Sequence, residues 1–299
     1  MSKIQEALKK LQSAGVPKSD RQLGRREDAT SVASIAAGPV VISEDVSEIT
    51  HGVVIELDQK ALRDAGLIAP DYHEELLADQ YRDIKRPLIA NAFGKRVVQI
   101  EDGNLIMVTS ALPGEGKTFT SINLAISIAQ EQDLTVLLVD ADVAKPHIST
   151  VLGVGKMPGL LDILDGDNHS PESLVVPTDM DGLSVLPAGA PRLNATELLS
   201  AFKMENLVKT LAARSPQRIV VFDTPPLLRT SESKILTSMA GQVVLVVKAE
   251  HTSQGAVGEA LHVLGEDKAV NLILNQSRKA GSQNEYTYGY GYGHDSKST

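Results

Sequence analysis

The sequence predicts an α/β fold: a doubly wound, mainly parallel sheet with helices on both faces. Three observations lead there. From residue 104 onward, short runs of Val, Leu and Ile recur with little polar interruption, which is how strands buried on both faces read. Stretches with helical apolar spacing follow most of them, at 117–131, 196–214, 232–240 and 253–264, and these supply the covering layers. Glycines and carboxylates cluster just after the first, second and fourth of the apolar runs, at the carboxyl ends of strands, where such sheets hold ligands.

Ahead of the sheet, residues 3–12 place Ile4, Ala7, Leu8 and Leu11 on one stripe with Lys and Glu opposite. That spacing predicts a short amphipathic helix, which needs a docking surface to persist. Residues 14–50 are rich in Ser, Ala, Gly, Asp and Arg without a sustained period and read as a linker. The run VVIEL (53–57) reads as a strand, and 70–93 as one or two helices around Pro87. The sheet strands then follow as LIMVT (105–109), TVLLV (135–139), LSVLP (183–187), RIVVF (218–222), QVVLVV (242–247) and VNLIL (270–274). The chain thus divides into a helix and linker (1–50), a helical extension (51–103), the α/β domain (104–275) and a tyrosine-rich tail (276–299).

Composition narrows the chemistry. With 42% hydrophobic residues the chain builds a substantial core, and with no cysteine it excludes disulfides, thiol nucleophiles and cysteine zinc sites. Its seven histidines (His51, His73, His147, His169, His251, His262, His294) form no i, i+4 pair of the zinc-hydrolase kind. No apolar run approaches the roughly 20 residues needed to span a bilayer, and the opening MSKIQEALKKLQ lacks a signal-peptide core; we expect a cytoplasmic chain. A net charge of -9 argues against nucleic acid as a partner.

The first sheet strand runs into ALPGEGKTFTSINLA. A glycine-bearing loop between strand and helix offers backbone N–H groups and a helix N-terminus to phosphates, here from Pro113, Gly114, Glu115, Gly116, Lys117, Thr118 and Phe119. Lys117 reaches the outer phosphates and the Thr118 hydroxyl ligates Mg²⁺. This is a phosphate-binding loop, or P-loop, with Ala111 where the strict pattern has glycine. The second strand ends in VLLVDADVAKP and delivers Asp140 and Asp142; the fourth ends in VVFDTPP and delivers Asp223. Three acids at buried strand ends, beside Lys117 and Thr118, point to a Mg²⁺–nucleotide site able to run phosphoryl transfer. Asn275 and Arg278, after the last strand, are placed to contact the base.

Taken in order, ALPGEGKT, VLLVDADVAKP, VVFDTPP and the terminal EYTYGYGYG resemble the bacterial tyrosine kinases of capsule and exopolysaccharide synthesis, over roughly residues 75–292. The resemblance implies a P-loop NTPase-type fold, ATP and Mg²⁺ as cofactors, Lys117, Asp140 and Asp142 as catalytic residues, and Thr118, Asp142 and Asp223 as metal ligands. It implies that the first acid of the second motif takes the tyrosine proton, with the division between Asp140 and Asp142 left open. It also implies a ring-like homo-oligomer built through a helix with an acid and two basic residues at three-residue spacing, matched here by Asp79, Arg82 and Lys85. A membrane-anchored activator of the polysaccharide co-polymerase type, which would hold the kinase at the inner face of the membrane, and a cognate tyrosine phosphatase complete the expected partners. One departure stands in the second motif: the family's basic pair is Ala144 and Lys145 here, so the first basic residue has no counterpart.

A partitioning ATPase of the Min and Par kind shares this fold and is the competing reading. Its signature lysine, five residues before the invariant one, is Leu112 here, and the C-terminus has no apolar stripe for a membrane helix. The tail itself discriminates further: four of the chain's six tyrosines (Tyr286, Tyr288, Tyr290, Tyr292) occupy it, and glycine between them makes it pliable enough to enter a neighbour's site.

Overall fold

The computed structural model describes residues 53–68, 74–94, 100–166, 170–200 and 202–277. The stripe at 3–12, the linker, Arg278 and the four tail tyrosines lie outside the described residues. Helices α1 (Gln59–Asp64) and α2 (Glu74–Phe93) precede the sheet. There follow β1 (Leu105–Ser110), α3 (Lys117–Ala129), β2 (Thr135–Asp140), α4 (His147–Val151), α5 (Leu160–Asp165), β3 (Val176–Pro177), β4 (Leu183–Leu186), α6 (Ala195–Ser200) and α7 (Phe202–Ala213). The chain ends its described part with β5 (Arg218–Asp223), α8 (Ser231–Met239), β6 (Gln242–Lys248), α9 (Gln254–Leu264) and β7 (Ala269–Asn275).

The sheet order is β3-β4-β2-β5-β1-β6-β7. Every pairing is parallel except β3 with β4. Alternation along each strand feeds two cores, which is why the strands read as continuous apolar runs. Leu105, Met107, Val220 and Phe222 pack on the side covered by α6 to α9, whereas Ile106, Val108, Val221 and Val246 pack under α1, α2 and α3. Because Tyr81 and Leu88 of α2 belong to that second cluster, the extension shares its core with the sheet.

One expectation changes and one is narrowed. VVIEL makes only an isolated bridge between Ile55 and Thr178. It meets the two-residue edge strand β3, where Pro177 has no N–H and can only accept, from Ile55 N at 2.9 Å, so a ladder cannot propagate. The region around Pro87 is a single helix; Pro87 lies on its exposed side, where water can satisfy the carbonyl that proline leaves unpaired. Short helices α4 and α5 had no sequence signal strong enough to separate them from loop.

The supposed charged strip on α2 also divides. Asp79 and Arg82 pair at 2.6 Å on the surface. Lys85 is buried: its Nζ donates to the Ser127 carbonyl at 2.5 Å and pairs with Glu131 at 2.8 Å. At i, i+3 and i+6 the three residues turn progressively around a helix with 3.6 residues per turn, and the last one faces α3.

Candidate active site

At the carboxyl end of β1 the chain turns through Ala111–Gly116 into α3. Gly114 and Gly116 have φ of 77° and 95°, a left-handed conformation that side chains resist. A Cβ on Gly116 would also fall 2.0 Å from Asn275 Nδ2. Ala111 is not among the positive-φ residues and its methyl group joins the core, so nothing at that position demands glycine.

Glu115 braces the loop from inside. Its carboxylate accepts from Leu112 N at 2.7 Å and from the Thr252 hydroxyl, and it is 2% exposed. Asn275, at the end of β7, donates to the Glu115 carbonyl at 2.9 Å and lines the cleft. Its amide therefore shapes the loop from the cleft wall.

The acids meet through strand register. Asp140 and Asp223 are directly paired neighbours on β2 and β5. Both Asp223 oxygens are satisfied, by Thr118 Oγ1 at 2.7 Å and Ser121 Oγ at 3.0 Å. Asp140 receives the N–H and hydroxyl of Ser149 on one oxygen, at 2.8 and 2.7 Å, while its other oxygen is buried without a partner. Burial pushes the Asp140 carboxyl up to about 7, aided by the charge of Asp223, and that of Asp223 up to about 6 against its hydrogen bonds and Lys117. Asp142 is also raised by burial, opposed by Lys117. Lys117 is lowered by burial, opposed by Asp223, Asp142 and Glu115. Charges of both signs are thus held away from water, poised for an anionic ligand.

Lys117, Thr118 and Asp142 border a cleft of about 740 Å³ whose lining also includes Gly114, Gly116 and Asn275, while Asp140 and Asp223 are buried outside that lining. The volume suits a nucleotide. Among the described residues no cluster of three His, Cys, Asp or Glu forms a cation cage. The Thr118 hydroxyl with the Asp142 and Asp223 carboxylates instead fits Mg²⁺, which is held by one or two protein oxygens together with phosphates.

Sequence reasoning missed four contributors. Ser121 sits one turn after Thr118 on α3, a helical spacing that would have found it. Ser149, on the short helix α4, and Thr252, in the turn before α9, arrive from distant parts of the chain with no motif. The α1–α2 loop, through Gly66 and Leu67, forms part of the cleft wall, held by Asn123 Nδ2 on the Leu67 carbonyl at 2.8 Å.

Residues 103–275 match the family model described as an AAA domain. The tyrosine-protein kinase YwqD of Bacillus subtilis is 33% identical over 222 residues, covering 74% of this chain and 89% of that protein. The chain belongs to the bacterial tyrosine-kinase family. Among other such kinases, the putative tyrosine-protein kinase EpsB of Ralstonia solanacearum is 38% identical over 167 residues, 56% of this chain. The succinoglycan biosynthesis transport protein ExoP of Rhizobium meliloti is 31% identical over 181 residues, 59% of this chain. The chain spans only 22% of the length of EpsB and of ExoP. Among solved kinase structures, the kinase domain of the Escherichia coli tyrosine kinase ETK superposes with a TM-score of 0.61 at 27% identity, over 71% of this chain and 80% of that one. Membership of this P-loop kinase family implies nucleotide binding.

Proposed function

We propose that this chain is an ATP-dependent protein-tyrosine kinase that phosphorylates Tyr286, Tyr288, Tyr290 and Tyr292 on a neighbouring copy. The observation that carries the reading is Asp140: a carboxylate anchored by Ser149 on one oxygen, free on the other, and with its pKa raised to about 7. A phenol with pKa near 10 needs such an acceptor. In the reaction the tyrosine oxygen bonds to the γ-phosphorus and the bond to the β–γ bridging oxygen breaks. The phenolic proton passes to the free oxygen of Asp140, and ADP leaves. Lys117 places positive charge where negative charge develops on the outer phosphates. Thr118, Asp142 and Asp223 would hold Mg²⁺, which supplies further neutralisation of phosphate charge.

The relatives' names extend the reading. ExoP is named for succinoglycan biosynthesis transport, which supports a role in exopolysaccharide or capsule synthesis or export. Among the described residues no helix is long and apolar enough to cross a membrane. Recruitment to the inner face of the membrane then falls to a membrane-anchored partner of the co-polymerase type, and a cognate tyrosine phosphatase resets the tail. Assembly into a ring uses the exposed Asp79–Arg82 part of α2. Incubation of purified chain with labelled ATP and Mg²⁺ tests the core of the proposal. Base-stable phosphotyrosine that disappears in Lys117→Met supports it, whereas ATP hydrolysis without phosphotyrosine transfers the reading to a partitioning-type ATPase.

A further inference from the structure

The strand β7 ends the sheet. It pairs with β6 along its whole length, from Gln242↔Ala269 to Lys248↔Asn275, and its other edge faces no strand among the described residues. Sheet edges are ordinarily blunted by charge, proline or bulges, yet AVNLILN contains no charge and no proline. Leu272 and Leu274 are 42% and 55% exposed, and residues two apart leave the same face of a strand. An uncharged apolar edge of this kind calls for a covering strand.

The tail has the matching pattern. Tyr286, Tyr288, Tyr290 and Tyr292 recur with a period of two, with Thr287, Gly289 and Gly291 between them. In an extended strand all four rings therefore leave one face. Residues 286–292 are as long as the seven-residue β7 and equally uncharged. The connector, 276–285, provides ten residues, well above the roughly two to five that close a hairpin. Covalent attachment also gives the tail a millimolar-scale local concentration that a second copy lacks.

We propose that residues 286–292 add to the free edge of β7 in the same chain as an antiparallel strand, with the tyrosine rings over Leu272 and Leu274. The tyrosines are thereby withheld from neighbouring copies until the tail leaves the edge. The placement stands apart from the kinase reading, because it concerns where the tail rests before any nucleotide binds; the withholding rests on that reading.

The chain has no cysteine, so engineered pairs report cleanly. Leu272→Cys is combined in turn with a cysteine at each position from 286 to 292 and oxidised mildly without ATP, with products read by intact mass and non-reducing electrophoresis. We expect cross-links within one chain at one or two of the tyrosine positions, forming at least ~10-fold faster than at 287, 289 or 291, since a disulfide needs close Cβ atoms on one face. Equal rates at all seven positions, or cross-links only between copies, would overturn the proposal. In the doubly substituted Leu272→Lys, Leu274→Lys protein the released tail should be phosphorylated several-fold faster by wild-type kinase, and an unchanged rate would overturn the withholding. A total lack of phosphotyrosine in every sample would count against the kinase reading alone, because the cross-link pattern needs no catalysis.

Discussion

Replacing Asp140 with Asn should stabilise the nucleotide-free protein at high pH while sharply slowing transfer. The wild-type carboxyl is fully buried and its pKa rises from the ordinary 3.8 to about 7. A raised carboxyl favours the protonated form in the folded state, so folding binds protons and stability falls as pH rises from about 4 to about 7. Converted at 1.36 kcal/mol per pKa unit, the penalty reaches about 4 kcal/mol near pH 8 and remains only about 2 kcal/mol near pH 5. Asn keeps an oxygen for the two Ser149 bonds and removes the charge. It places an N–H₂ group where the free oxygen was, at a cost of about 1–3 kcal/mol that does not change with pH.

The diagnostic is therefore the slope. Urea unfolding in EDTA, without nucleotide, at about pH 5 and about pH 8 should show the Asn variant gaining on wild type by about 2–3 kcal/mol between the two. Tail phosphorylation in the same variant should fall by about 10²- to 10⁴-fold, the range for loss of a general base. Parallel stability profiles would refute the reasoning, because they would mean that Asp140 carries no buried charge in the folded protein.

Four further outcomes are expected. Lys117→Met should abolish phosphotyrosine with an unchanged circular-dichroism spectrum. Gly116→Ala should weaken nucleotide binding by about tenfold or more, measured by fluorescent-nucleotide titration, because left-handed φ and the Asn275 amide both oppose a Cβ there. Lys85→Ala should lower stability by about 2–4 kcal/mol, because Glu131 and the Ser127 carbonyl lose their partner, whereas Arg82→Ala should leave stability within about 0.5 kcal/mol and shift light scattering toward monomer. Changing all four tail tyrosines to Phe should fold normally, show no tail phosphate by intact mass and lose any ATP-dependent loosening of the oligomer, since each phosphate adds roughly -1.5 to -2 charges.

How much of this was legible follows from the range of the interactions. The strands were readable because burial on both faces demands unbroken apolar sequence, and Lys117, Thr118 and Asp223 because each sits at a fixed step from a strand end. The role of Asp140 was half legible. Its position follows from β2, but its pairing with Asp223 depends on β5 inserting between β1 and β2, which local sequence does not encode. Ser149 and Thr252 were invisible for the same reason. The reading of Lys85 went astray because three-residue spacing specifies a rotation and not which side of the helix meets the core.

That correction changes what α2 does in the molecule. Lys85 holds the carboxyl-terminal part of α3 through the Ser127 carbonyl and Glu131, while the amino-terminal end of α3 carries Lys117 and Thr118. Asn123, between them, holds the Leu67 carbonyl of the loop that lines the cleft. Gln242 fixes the far end of α2, accepting from Asn91 and donating to the Leu88 carbonyl. The extension is thus bolted at both ends to the helix and strands that build the phosphate site. A partner that gripped the exposed Asp79–Arg82 side of α2, as proposed for assembly, would therefore bear on a helix that, among the described residues, packs and hydrogen-bonds directly onto the elements around the candidate cleft.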